Sequence, residues 1–227
     1  MRLVTHEWGS GGRTALLVHG MMSDHRSWRR VGPALADRGY RVVAVDLRGH
    51  GASPRAARYA PALFADDLVE TLPSGAELAL GHSLGALALS LAADRLRPAR
   101  AVYSEPAWGG GIDPTVLAQL TALRRDQIAF LNPRWDPEDL DVEVATLARW
   151  DPAGARYLEG LRDTGFLPAR PVVPSLVQRA GSSGLVGPDD VELLTGRGFE
   201  VRTVEGTGHC IHRDDFDAFM ASLAGWV

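Results

Sequence analysis

The chain has 227 residues, 24 basic and 28 acidic side chains, a formal net charge of −4 and 45% hydrophobic residues, which is enough for one generous domain with its own core. Its charges of both signs are intermixed, which excludes the basic stripe expected of a nucleic-acid or anionic-lipid partner. The single cysteine, Cys210, excludes an internal disulfide framework. With no apolar leader after Met1 and no run of about 18 apolar residues, the expectation is a cytoplasmic protein without membrane contact.

In chain order, residues 2–8 read as a short strand, and Gly9 to Gly12 as the turn into the apolar run Thr14–Val18, a strand covered on both faces. Ser23 or Asp24 offers a cap for a helix carrying Trp28, Val31 and Leu35, which Gly39 stops. Tyr40–Val45 is the next buried strand, and residues 61–72 form a helix ended by Pro73. Leu78 to Leu80 then runs through Gly81-His82-Ser83-Leu84-Gly85 into an alanine and leucine helix, and Ala99 to Ser104 is a strand that stops at Glu105-Pro106. From 108 to 169 the pattern changes: segments 113–130, 136–149 and 152–162 read as helices, separated by Pro133, Pro137 and Pro152. Alternation resumes with a strand at Val172–Val177, a helix over 188–196, a strand at Phe199–Val204 and a last helix over 213–226. Strands alternating with helices predict an α/β fold with a mainly parallel sheet flanked by helices. The chain divides into core residues 1–107, a helical insertion over 108–169 and core residues 170–227.

The chemistry centres on Gly81-His82-Ser83-Leu84-Gly85. A Gly-X-Ser-X-Gly pattern between an apolar strand and a helix has the order of a nucleophile elbow, in which a strained turn lifts the serine side chain clear of the backbone. Three further motifs accompany it: His19-Gly20 after the first apolar parallel strand, Asp46-Leu47-Arg48-Gly49-His50-Gly51-Ala52-Ser53, and Gly206-Thr207-Gly208-His209 before the terminal helix. With these four motifs in this order, nearly the whole chain resembles an alpha/beta-hydrolase with a helical cap.

The resemblance implies Ser83 as nucleophile and His209 as base, with His212 a weaker rival expected at the surface of the last helix. It also implies an oxyanion hole made by the backbone N–H groups of Met21 and Leu84. The acid departs from the family's common pattern. The stretch after the post-insertion strand, Gln178 to Val186, holds no carboxylate. Glu105, at the end of the strand after the elbow helix, is favoured, with Asp189 and Asp190 as alternatives whose other reading is the acidic first turn of a helix. Met22, Trp108, Trp135 and Trp150 are candidate pocket residues, each tryptophan reading equally as packing between cap and core, and together they imply a small-molecule apolar substrate. Asp46, Arg48 and His50 are expected to shape a turn, and Cys210 to fill a small buried space. No metal or cofactor is implied.

Haloalkane dehalogenases and epoxide hydrolases of this fold need an aspartate where Ser83 stands. Acyl transfer to water is therefore the expected reaction, on a small or medium ester. A carbon–carbon bond hydrolase of dienoic ring-cleavage products and a binding module of the same fold are the alternatives.

Overall fold

In a computed structural model of the chain, the structure describes residues 1–109, 114–161 and 165–227. Seven strands form one sheet: β1 (Thr5–Trp8), β2 (Arg13–Val18), β3 (Tyr40–Val45), β4 (Leu78–His82), β5 (Arg100–Ser104), β6 (Ser175–Ala180) and β7 (Glu200–Val204), in the order β1-β3-β2-β4-β5-β6-β7. β1 pairs antiparallel with β3, and every other pairing is parallel. The strand carrying the elbow, β4, lies between β2 and β5 near the middle of the sheet. All five of its residues are buried, as its unbroken apolar reading requires of a strand covered on both faces.

The helices are α1 (Val31–Ala36), α2 (Pro61–Thr71), α3 (Leu84–Leu96), α4 (Pro114–Thr121), α5 (Arg125–Leu131), α6 (Pro137–Leu147), α7 (Pro188–Gly196), α8 (Ile211–Asp214) and α9 (Phe216–Ser222), with 3-10 segments at His25–Trp28 and Pro152–Leu161. Successive strand residues face opposite sides of the sheet, so Leu16 and Val18 join Phe64, Leu68 and Leu87 in one core, while Leu17 joins Trp28, Leu35 and Phe219 in the other. In a parallel sheet of this kind the carboxyl ends of the strands are where ligands bind. Helices α4 to α6 come from the segment between β5 and β6. Among the described residues, no helix is long and apolar enough to cross a membrane.

Several predicted boundaries move, each for a local reason. The expected helix over 113–130 becomes α4 and α5, and residue 113 lies outside the described residues, as does residue 162 at the end of the third expected helix. The strand expected at Val172–Val177 starts at Ser175, because Pro174 has no N–H to donate and offers only its carbonyl, which accepts from Ala101. The single terminal helix is two: Asp215 adopts an extended conformation and caps α9 by accepting from the Ala218 amide. Asp24, one of two predicted caps, accepts from the Arg26 amide.

Candidate active site

Three backbones must crowd together where β4 turns into α3, and glycines permit it. A Cβ on Gly85 would lie 2.2 Å from the Val18 carbonyl oxygen, one on Gly81 would lie 2.6 Å from the Gly85 oxygen, and one on Gly20 would meet the His82 ring at 2.8 Å. Ser83 itself sits at φ 51°, ψ −116°, a conformation that is costly for a residue with a side chain. Among the described residues, four non-glycines have positive φ: Met22, Ser83, Arg97 and Glu105. Arg97 ends α3 in the left-handed conformation common at helix ends, and the other three belong to the loops gathered at this end of the sheet.

A cavity of about 140 Å³ opens beside Ser83, and its walls include Gly20, Met21, Met22, His82, Leu120, Glu143, His209 and Arg213. Leu84 is fully buried at the first position of α3, where a helix has no internal partner for its amide. His19 fixes the Gly20–Met22 loop: its Nδ1 donates to the Gly20 carbonyl at 2.7 Å, and its Nε2 accepts from the Leu47 amide at 3.0 Å. That bonding assigns the proton to Nδ1.

Glu105 is fully buried, and His209 is 43% exposed. The Nδ1 of His209 lies 3.4 Å from Glu105 Oε2, longer than a tight hydrogen bond but within the looser range of unliganded sites. The Ala180 amide donates to the other oxygen, Oε1, at 2.7 Å, and the Ser183 hydroxyl donates to Oε2 itself at 2.9 Å. Asp189 and Asp190 lie elsewhere. Asp190 accepts from the Gly187 amide at the start of α7, and Asp189 lines a surface groove with Glu192 and Arg197.

The expectation for His212 is corrected. It is 3% exposed, beneath His82 and Trp28, with ring centroids 5.1 and 4.7 Å away, because the break at Asp215 turns α8 into the core.

The tryptophans expected in the pocket are also not in the walls of the cavity beside Ser83. Trp108 packs on Tyr103 and Phe199 and donates to Ser90. Trp150 is buried near His50. Trp135 lies under the Arg213 guanidinium and donates to Asp214. Of the four candidates only Met22 lines that cavity.

Asp46 and Arg48 are absorbed by structure. Asp46 accepts from His25 and Ala52, and Arg48 pairs with Asp67. Asp24, His25 and Asp46 form a cluster with metal-ligand spacing, yet both carboxylates are already bonded within the fold. Burial pushes the Cys210 thiol up to about 12, so it stays protonated beside His209.

Three contributors escaped the sequence reading. His82 donates from Nε2 to the His209 carbonyl at 2.9 Å, with the two rings 4.7 Å apart. Burial, helped by the nearby His209 and His212, holds it well below the usual histidine range, so it remains neutral. Ser183 sits in the stretch that holds no carboxylate and reaches Glu105 with its hydroxyl. Arg213 is buried in the cavity wall. The X of Gly-X-Ser-X-Gly was the one available hint for His82; side-chain direction hid the other two.

A mostly parallel sheet with a serine on a strained turn after its central strand, and a histidine backed by a carboxylate on the same cavity, matches the alpha/beta-hydrolase fold. The chain belongs to the alpha/beta hydrolase family, whose profile matches residues 15–222. It is 43% identical over 81 residues to epoxide hydrolase B of Mycobacterium tuberculosis, which is 33% of this chain and 23% of that protein. It is 30% identical over 168 residues to the pimeloyl-(acyl-carrier protein) methyl ester esterase of Methylococcus capsulatus, 69% of this chain and 61% of that protein. Both matches span less than two thirds of the relative. An E-2-(acetamidomethylene)succinate hydrolase superposes with a TM-score of 0.80 at 22% identity, covering 98% of this chain and 94% of that one, a likeness of fold.

Proposed function

We propose that this hydrolase is a serine esterase cleaving a small or medium carboxylic ester through an acyl-enzyme on Ser83. The observation that carries the reading is the convergence of Ser83, on its strained turn, and His209, backed by Glu105, on one cavity. An alcohol is a weak nucleophile at neutral pH and needs a base and donors for the developing oxyanion. His209 takes the proton from Ser83 as its oxygen attacks the carbonyl carbon, then delivers it to the departing alcohol. The amides of Met21 and Leu84 hold the oxyanion, and Glu105 orients the imidazole and stabilises its charged form. Water activated by His209 releases the acid.

The helical segment over 108–169 acts as a cap in this reading, since Leu120 and Glu143 bring it to the cavity wall. Met21, Met22 and Leu120 supply apolar surface for the substrate's carbon chain. Several relatives are epoxide hydrolases, but epoxide opening in this fold uses a carboxylate nucleophile, and position 83 is a serine.

A fluorophosphonate probe followed by a panel of p-nitrophenyl esters of rising chain length tests the proposal. Labelling at Ser83 and turnover of short and medium esters are expected. No labelling and no turnover would overturn it.

A further inference from the structure

Buried polar atoms without a hydrogen-bond partner gather in one place. Among the described residues there are eleven such side-chain atoms, and five of them belong to Ser23, His212 and Arg213. All three residues line the cavity beside Ser83. These atoms are themselves closed to solvent, and such atoms are costly when nothing meets them, so their concentration behind one wall argues for a polar occupant that reaches them from that cavity.

Arg213 defines the occupant's chemistry. It is 4% exposed and lies in α8, four residues after His209. Its Nη1 donates to Glu143 of α6, and the ring of Trp135 covers one face, 4.6 Å from the guanidinium carbon. Nε and Nη2 have no partner. On a guanidinium these two N–H groups share one edge and run parallel, at the spacing of the two oxygens of a carboxylate. Burial opposes the charge of Arg213, and Glu143 sustains it, leaving its pKa above the ordinary arginine value. The side chain is thus a cation with one edge of its fork uncommitted. Among the described residues, no other arginine lines this cavity. A neutral amide or hydroxyl group would engage one donor of that edge; a carboxylate engages both.

We propose that the ester cleaved here carries a carboxylate a few atoms from its scissile carbonyl, seated on the Nε–Nη2 edge of Arg213 with Ser23 and His212 beside it. The substrate class is a half-ester of a short dicarboxylic acid or an ester of a short hydroxy acid. The cavity volume of about 140 Å³ is close to the roughly 150 Å³ of a cavity that holds one benzene, which is room for a carboxylate and a few methylenes. This inference rests on the esterase reading of Ser83 and narrows it.

Two matched pairs of esters test it. Mono-4-nitrophenyl glutarate against 4-nitrophenyl pentanoate places the charge on the acyl side, and 4-acetoxybutanoate against pentyl acetate places it on the alcohol side. In at least one pair the charged ester is expected to have kcat/KM about ten-fold or more above its neutral partner, with that ratio collapsing in Arg213→Gln. Should Arg213→Gln fail to fold for want of its bond to Glu143, inhibition of the wild-type enzyme decides: glutarate competes with a neutral ester and glutaramide does not. Equal or lower kcat/KM for the charged ester in both pairs, or glutarate inhibiting no better than glutaramide, overturns the proposal. Those results with Ser83 still labelled and neutral esters still cleaved leave the esterase reading standing. Absence of labelling and of all turnover removes both.

Discussion

The ends of β5 and β6 lie side by side in the sheet, with Ser104 paired to Gln178, and they contribute differently to the carboxylate beside His209. The end of β5 carries the carboxylate, Glu105, on a residue at φ 47°. The end of β6 carries no acid, but its Ala180 amide and Ser183 hydroxyl both bond that carboxylate. The loop after β6 also grips the histidine loop, since Ser182 bonds the Thr207 carbonyl through both its amide and its hydroxyl, and Gly181 donates to Val204. The difference teaches that the site is fixed by where side chains converge; the strand that lends the charge and the strand that aims it need not be the same.

The sharpest way to break this comparison is to move the charge back. Glu105→Ala is expected to lower kcat by roughly 10³- to 10⁴-fold, the scale seen when a triad histidine loses its orienting carboxylate. Ser183→Asp added to that variant is expected to restore about ten-fold, because position 183 already reaches the same point in space. No recovery in a folded double variant would show that the two strand ends are not interchangeable.

Next in size is His82→Phe, which keeps a ring under His209 but removes the donor to its carbonyl. A fall in kcat of about ten-fold with KM nearly unchanged is expected from misplacing the base, with partial recovery in His82→Gln. Ser183→Ala removes one of the donors to Glu105 and is expected to lower kcat by about three-fold, measured against wild type at saturating ester.

The smallest effect concerns pH and stability. Burial keeps His19, His82 and His212 below the usual histidine range and takes His50 to about 3. The unfolded chain takes up protons on these rings near 6.5 while the folded protein does not. Their contribution is therefore complete above that pH and declines as pH falls from 6.5 toward 3. Thermal melts across this window should show Tm falling with pH, and His50→Gln should flatten the slope.

Much of the fold was legible because parallel strands announce themselves as short apolar runs, and β2, β3 and β4 are buried almost throughout. The elbow was legible because a strained turn between strand and helix demands its glycines. Harder to read were features set by side-chain direction. Nothing in the sequence says that His82 reaches the His209 carbonyl or that His212 turns inward. The three tryptophans read as pocket wall or as packing alike, because a large aromatic ring suits both equally well. Trp108 and Trp150 went to the core, and Trp135 to Arg213. The helix breaks at Asp215 and around residues 122 to 124 depend on local capping and tertiary contacts, which override helix propensity.

The central claim is that Glu105, and no carboxylate after β6, orients His209. The most direct measurement is kcat for one p-nitrophenyl ester in Glu105→Gln, Asp189→Asn and Asp190→Asn, each checked for folding by its melting temperature. The account predicts a loss of roughly 10³-fold or more in the first and less than about two-fold in the other two. Near wild-type turnover in folded Glu105→Gln, or a comparable loss in either aspartate variant, would contradict it.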